Sequence, residues 1–193
     1  MHRDPLLRQL EAYLDRYPGE RVCVDRVREL VQSRPDCFER TCLPGHITGS
    51  AWILSADQRC VLLTHHRKLE RWLQLGGHAD GQTDVLQVAL REAQEESGLS
   101  RFTVFPATQP AAPFDIDVHL IPARGDEPAH WHHDVRFLLV AEAGQELRIS
   151  DESHDLCWIE RSRLLDFTSE ESILRMERKA HTILRAPALL GSQ

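Results

Sequence analysis

Three glutamates in the middle of the chain have a spacing that could bind a metal ion. Glu92, Glu95 and Glu96 stand at i, i+3 and i+4, which places them on one face if the segment is helical. Each pair of like charges at this spacing destabilises a helix by on the order of 0.2–0.5 kcal/mol. The helix dipole also disfavours negative charge in the last turns. A hard cation such as Mg²⁺ or Mn²⁺ would relieve both penalties. The spacing alone fits either a solvated acidic face or a metal site.

A helix from Thr83 to Ser97 is predicted to carry these glutamates. Its buried stripe would be formed by residues that recur at helical spacing: Leu86, Ala89, Leu90, Ala93 and Ser97. Thr83 is predicted as the N-cap, with Asp84 in the first turn. Gly98 is predicted to end the helix, because glycine adopts the left-handed conformation without strain.

The glycine loop before this helix and the helix itself form one longer pattern. It reads Gly77-x5-Thr83-x7-Arg91-Glu92-Ala93-x-Glu95-Glu96-x-Gly98-Leu99. This pattern resembles the Nudix box of the Nudix hydrolases, G-x5-E-x7-R-E-U-x-E-E-x-G-U, in which U is apolar. Every specified position matches except Thr83, where the family has glutamate. The resemblance implies an α/β (α+β) fold, a Nudix-type α/β/α sandwich with a mixed sheet.

The resemblance also implies an activity. Nudix hydrolases cleave a phosphoanhydride (pyrophosphate) bond in a nucleoside diphosphate linked to another moiety, by metal-activated water. It implies that Glu92, Glu95 and Glu96 bind Mg²⁺ (or Mn²⁺), with the backbone carbonyl of Gly76 as a further ligand. It further implies that Arg91 orients the glutamates through a salt bridge. Glu92 could itself serve as the general base.

Other candidates for the general base lie outside the helix. Asp151, Glu152 and Asp155 precede a predicted strand at Trp158, and Glu152 is the preferred candidate among them. Asp134 is an alternative just before another predicted strand. The predicted catalytic residues are therefore Glu92, Arg91 and Glu152.

Substrate contacts are predicted around the glycine loop. His65, Arg67 and Lys68 precede this loop and could form a cationic rim for phosphates. Trp72 could stack on a base or anchor the strand in the core. His78, within the glycine loop, is also a predicted substrate contact.

Histidines that could line a polar strand face form a second group of candidates. Residues 115–120 alternate strictly between polar and apolar, so His119 would lie on a polar face. If residues 130–134 are extended, His130, His132 and Asp134 would share one face, where they could form a metal site, a substrate contact or a polar edge. The spacing Cys37-x4-Cys42-x3-His46 matches no common zinc pattern, so zinc is not predicted there.

Composition limits the partners and the compartment. The 193 residues carry a formal net charge of -7, which argues against broad binding to nucleic acid or anionic membranes. No secretory signal and no apolar run of about 18–20 residues occur. Five cysteines cannot all pair internally, which favours reduced thiols and a cytoplasmic location. The expected partner is a small-molecule phosphoanhydride.

Three regions are predicted along the chain. Residues 1–45 form an N-terminal extension of two helices, which could cap the substrate pocket or support a homodimer. Residues 46–167 form the Nudix domain, with strands at 47–54, 60–65, 102–105, 116–121, 135–141 and 156–159. Residues 168–193 hold a C-terminal helix packed on the domain, with Thr168 and Glu171 as a capping box.

Two other functions stay open. A Nudix-fold binding or regulatory module without strong catalysis is one, because Thr83 replaces a family glutamate. An enzyme similar to the isopentenyl-diphosphate isomerases is the other, because Gly76-Gly77-His78 resembles their Cys-Gly-His. The isomerase cysteine is replaced by Gly76 here, and the helix residues follow the hydrolase pattern.

Overall fold

The computed structural model describes residues 2–67, 69–105, 111–149 and 153–185. The helices are α1 (Asp4–Arg16), α2 (Arg21–Ser33), α3 (Val85–Ser97) and α4 (Glu171–Arg185), with short 3-10 turns at Pro18–Glu20 and Arg161–Asp166. The strands are β1 (Gly45–Leu54), β2 (Cys60–His66), β3 (Arg71–Leu73), β4 (Leu75–His78), β5 (Phe102–Phe105), β6 (Asp115–Ile121), β7 (His130–Ala141) and β8 (Ser153–Glu160). None of the helices in these ranges is both long and apolar enough to cross a membrane.

The sheet is mixed and is built on one parallel pair, β1 and β7. Each long strand changes partner halfway along its outer edge. The middle of β1, residues 48–51, pairs with β4 and its end with β2, while the first half of β7 pairs with β6 and its end with β5. These contacts, and those of β2 with β3 and β8, are all antiparallel. The glycine-rich β4 is thereby placed directly beside β1.

Helices cover both faces of the sheet, so the predicted α/β sandwich with a mixed sheet is confirmed. On β1, Ile47, Ala51 and Ile53 point into one core that also holds the apolar faces of α1, α2 and α3. Trp52 and Leu54 point to the other side, where they pack with α4. Strand alternation therefore places His46, Thr48 and Ser50 on the α4 side.

The start of α3 differs from the prediction. The N-cap is Asp84, whose Oδ1 accepts a hydrogen bond from the backbone N–H of Leu86 at 3.2 Å. The prediction of Thr83 as the cap is therefore wrong by one residue. Asp84 has the extended backbone of a cap residue, and Gln82 Oε1 accepts from its N–H at 3.0 Å. Gly98, with φ 72°, ends the helix as predicted.

Two other sequence predictions need correction. Helix α4 begins at Glu171, and the Thr168 hydroxyl accepts from the backbone N–H of Glu170 at 3.1 Å. Thr168 therefore closes a turn before the helix and does not form the predicted capping box with Glu171. Strands β3 and β4 were not predicted, because they are short and β4 contains Gly76 and Gly77.

A buried charge cluster joins α4 to the sheet. Asp115 is fully buried and accepts hydrogen bonds from Arg136 at 3.1 Å, Arg175 at 2.7 Å and Lys179 at 2.6 Å. Lys179 also contacts Glu20 at 2.7 Å, between α1 and α2. Since a buried charge must be paired, this cluster fixes how the N-terminal segment, β6 and α4 sit together.

Candidate functional site

Helix α3 brings two of its glutamates to the backbone of β4. Glu96 Oε1 accepts a hydrogen bond from the N–H of Gly76 at 2.9 Å. A Cβ added to Gly77 would lie 2.6 Å from the carboxyl group of Glu92, so only glycine lets this carboxylate approach the strand so closely. The two carboxylates therefore converge on consecutive residues of β4.

Arg91 connects the same helix to the end of β4. Its Nη2 donates to the backbone carbonyl of His78 at 2.8 Å and lies 3.0 Å from Glu92 Oε1. The guanidinium is thus shared between the strand and the carboxylate, which restricts the positions that Glu92 can take. This geometry supports the positioning role expected for Arg91.

The donor set at this place suits a hard divalent cation. Glu92 and Glu96 are half-buried and Glu95 is exposed on the same helical face. Their carboxylate oxygens, together with nearby backbone carbonyls, are the ligands that Mg²⁺ and Mn²⁺ prefer. Thr83 lies before the first turn of α3 and offers no carboxylate.

The candidates for the general base have different surroundings. Asp134 is buried, and its carboxylate accepts hydrogen bonds from four side chains: Thr48 at 3.0 Å, Ser50 at 2.7 Å, Gln74 at 3.3 Å and Arg136 at 2.7 Å. It therefore serves to join β1, β7 and the segment before β4. Asp155 is exposed on β8 and accepts from the N–H of Leu156 at 2.8 Å. Asp151 and Glu152 lie outside the described residues.

His65 and Arg67, two residues of the predicted cationic rim, lie on the hairpin of β2 and β3. The rings of His65 and Trp72 lie 5.2 Å apart between centroids, and Trp72 makes an edge contact with Phe167 at 5.7 Å. Trp72 is half-buried against the α4-side core, as expected for an anchor. Arg67 is exposed in the turn that follows β2. Lys68 lies outside the described residues.

Four histidines from three strands meet on the α4 side of the sheet. One ring nitrogen from each of His46, His78, His130 and His132 lies within 4.8 Å of the others. The register explains the meeting, because β1 pairs His46 with His132 of β7, and Thr48 with His78 of β4. Cys37 and Cys42 are instead buried in the core with α1 and α2.

Sequence reasoning found only part of this cluster. His130 and His132 were predicted to share a face, but His46 and His78 were not connected with them. Alternation along β1 and β4 was the available signal, and it could not be used without the pairing of these strands. His119 lies beside the cluster, with its ring 5.6 Å from that of His132 and its Nδ1 3.0 Å from Asp117.

Burial keeps the imidazoles of His46, His78 and His132 neutral. Desolvation, followed by the charges of neighbouring histidines, lowers the pKa of His132 to about 2. Burial of the His46 ring, followed by the charge of the nearby His78, lowers the pKa of His46 to about 4. Burial and the charge of Arg40 also lower the pKa of His78. At neutral pH these three rings therefore keep a lone pair on one nitrogen.

Comparison with known proteins identifies the domain. Residues 45–178 match the family model described as NUDIX domain. No curated protein matches the chain.

Solved structures share the fold. A hydrolase of the NUDIX family from Clostridium perfringens superposes with a TM-score of 0.58 at 24% identity, covering 72% of this chain and 97% of that one. A C. elegans Ap4A hydrolase binary complex gives a TM-score of 0.56 at 17% identity, covering 72% and 96%. The NUDIX domain of Shewanella oneidensis NrtR, complexed with ADP ribose, gives 0.51 at 17% identity, covering 82% and 97%. At these identities the likeness is one of fold.

Proposed function

Because the chain belongs to the Nudix family, we propose that it is a metal-dependent pyrophosphohydrolase. Its substrate would be a nucleoside diphosphate linked to another moiety, cleaved at the phosphoanhydride bond. The observation that carries the proposal is the convergence of Glu92 and Glu96 on Gly76 and Gly77 of β4. This convergence brings oxygen donors together where the family motif has its reaction centre.

We propose the roles of the residues from the family motif and, for Arg91, Glu92 and Glu96, also from their contacts. Glu92, Glu95 and Glu96, with the backbone carbonyl of Gly76, would hold Mg²⁺ or Mn²⁺. The bound ion would supply a Lewis acid and lower the pKa of a water molecule. Arg91 holds Glu92 in place through the 3.0 Å contact. Glu152 is our proposal for the general base.

Substrate binding is proposed on the α4 side and at the β2–β3 hairpin. Arg67 and Lys68 would attract phosphate groups, and His65 beside Trp72 offers aromatic rings to a base. His119 is half-buried beside an exposed strand end and would contact the substrate there. Of the proteins of similar fold, one is named an Ap4A hydrolase and another is complexed with ADP ribose. Both compounds contain a phosphoanhydride.

The compartment and assembly belong to the same proposal. All five cysteines lie in the described ranges and are free thiols, which supports a reducing, cytoplasmic compartment. A homodimer and the absence of a nucleic-acid partner are proposed as well, the latter from the net charge of -7.

The test is a panel of nucleoside diphosphate derivatives and nucleoside triphosphates, incubated with Mg²⁺ or Mn²⁺ and analysed by chromatography. We expect metal-dependent cleavage of one class, reduced at least about 100-fold in Glu95→Gln because a metal ligand is lost. Glu11→Gln, at an exposed position of α1, is the matched control. Turnover that is unchanged by Glu95→Gln would contradict the mechanism.

A binding module is the second candidate, favoured by Thr83 at the position of a family glutamate. It would bind one of these compounds tightly with metal and release no product. The variant Thr83→Glu separates an enzyme weakened at this position from a binding module. Cleavage that appears only in Thr83→Glu would support the binding module for the natural chain.

A further inference from the structure

We propose that His46, His78, His130 and His132 form a binding site for a transition-metal ion of the zinc class, separate from the glutamate site. One ring nitrogen of each histidine lies within 4.8 Å of a ring nitrogen of each of the other three. The site is formed by β1, β4 and β7 on the α4 side of the sheet. It goes beyond the proposed hydrolysis and does not depend on it.

The nitrogen separations suit such an ion. The Nε2 atoms of His130 and His132 lie 3.2 Å apart. Tetrahedral Zn²⁺ with Zn–N bonds of about 2.0–2.1 Å separates its ligand atoms by about 3.3 Å. The pair is thus already at ligand spacing, and the ring nitrogens of His46 and His78 lie within 4.8 Å of it.

Backbone carbonyls hold two of the rings in the tautomer that binds metal. His130 Nδ1 lies 2.9 Å from the carbonyl of Pro128, and His46 Nδ1 lies 3.4 Å from that of Cys42. A carbonyl can only accept, so each Nδ1 carries the hydrogen and the neutral ring keeps its lone pair on Nε2. This is the outer-shell arrangement that orients metal-binding histidines.

Two buried ring nitrogens of the cluster make no hydrogen bond within the described part of the chain. The Nε2 atoms of His46 and His78 are buried, and neither has a hydrogen-bond partner among the described residues. The His46 side chain is 1% exposed, so water does not satisfy it from the surface. Leaving such atoms unpaired costs free energy, and a bound cation removes that cost.

The donor chemistry distinguishes this site from the glutamate site. Imidazole nitrogens suit Zn²⁺, Cu²⁺, Ni²⁺ or Fe²⁺ as ligands and bind Mg²⁺ poorly. The carboxylate of Glu127 lies 4.0 Å from His130 Nε2 and would offset part of the added charge. The glutamates lie on the other face of β4, because Gly77 faces Glu92 while the next residue, His78, points to the α4 side.

A bound ion would stabilise the strand on which the proposed reaction centre depends. His78 directly follows Gly76 and Gly77, and its carbonyl accepts the hydrogen bond from Arg91. Ligation of His78 together with His46 and His132 would fasten the end of β4 to β1 and β7. Occupancy should therefore raise the thermal stability of the whole chain.

The experiment measures zinc binding to the full chain without an affinity tag. The metal-free protein is equilibrated with Zn²⁺ in a large excess of Mg²⁺, which saturates the glutamates, then dialysed and assayed for metal. We expect one Zn²⁺ per chain and a higher Tm. In His130→Gln and His132→Gln the affinity for Zn²⁺ should fall at least about 100-fold.

Two matched variants identify where the ion binds. His181→Gln, at an exposed histidine of α4, and Glu95→Gln should both keep one Zn²⁺. Absence of bound Zn²⁺ in the natural chain would overturn the proposal. So would loss of Zn²⁺ in Glu95→Gln with retention in His130→Gln, because the ion would then lie at the glutamates.

Co²⁺ gives a test that needs no histidine variant to fold. Co²⁺ bound to the natural chain in excess Mg²⁺ should give intense visible absorption, which is typical of tetrahedral nitrogen ligation. A weak spectrum typical of octahedral oxygen ligation would overturn the proposed site.

Discussion

The carboxylate of Glu96 accepts a hydrogen bond from the backbone N–H of Gly76 at 2.9 Å. The last turn of α3 is therefore attached to β4 through a side chain that also belongs to the acidic triplet. One residue further along β4, the missing side chain of Gly77 makes room for Glu92. The proposed metal site thus depends on the packing of a helix against one short strand.

Gly77→Ala should impair hydrolysis and leave the fold intact. The added Cβ would lie 2.6 Å from the Glu92 carboxyl group, so this carboxylate must move away from β4. A displacement of this size should reduce kcat/KM at least about 10-fold, measured on the substrate found in the panel. Gly19→Ala is the control, since a Cβ there meets nothing within 4 Å. Equal activity in both variants would contradict the proposed site.

Asp115→Asn should strongly destabilise the protein. Asp115 is fully buried and is contacted by Arg136, Arg175 and Lys179. Removing the charge leaves buried cations with less compensation, which we expect to cost about 3 kcal/mol in the free energy of unfolding. Urea unfolding of the natural chain and of Asp115→Asn measures this change in the free energy of unfolding. Asp166→Asn removes an exposed ion pair with Arg163 and should change stability by less than about 1 kcal/mol.

Stability should fall in acid because of Asp117. Burial alone would raise the pKa of this carboxyl group, but the hydrogen bond from His119 and the charges of Arg136 and Arg175 outweigh it and hold the pKa below its usual value. As the pH is lowered, Asp117 is therefore protonated at a lower pH in the folded state than in the unfolded state. The contribution of ionised Asp117 to the free energy of unfolding is complete above about pH 4 and is lost as the pH falls further.

The measurement is the free energy of unfolding between pH 7 and pH 3 for the natural chain and Asp117→Asn. The variant should be less stable at pH 7 and should lose about 1–2 kcal/mol less on acidification. Parallel curves for the two proteins would show that Asp117 does not titrate as its contacts imply.

Asp84→Ala should weaken the start of α3. Its Oδ1 caps the N–H of Leu86, and loss of such a cap costs about 1 kcal/mol. Thr83→Ala should cost clearly less, because the Thr83 side chain is not the cap. Thermal unfolding of both variants measures the difference. A larger loss of stability in Thr83→Ala than in Asp84→Ala would show that Thr83 is the cap, as predicted from the sequence.

Local patterns accounted for most of the elements. The strand at Phe102–Phe105 was predicted with its bounds, and the strands at 47–54 and 60–65 were predicted to within two residues. Each has β-like apolar residues between turn residues, so the signal is contained in the segment itself. Strand β4 was missed, because two of its four residues are glycine and its pairing with β1 is long-range.

The sequence by itself determined the Nudix box, since Arg91, Glu92, Glu95 and Glu96 lie on one helix and their relative positions follow from helical geometry. Only the tertiary structure decided that His46, His78, His130 and His132 meet. Their distances depend on the register of three strands, which is set by contacts between segments far apart in the chain. Chemistry carried by one helix can thus be predicted from residue spacing, whereas chemistry shared among strands requires the fold.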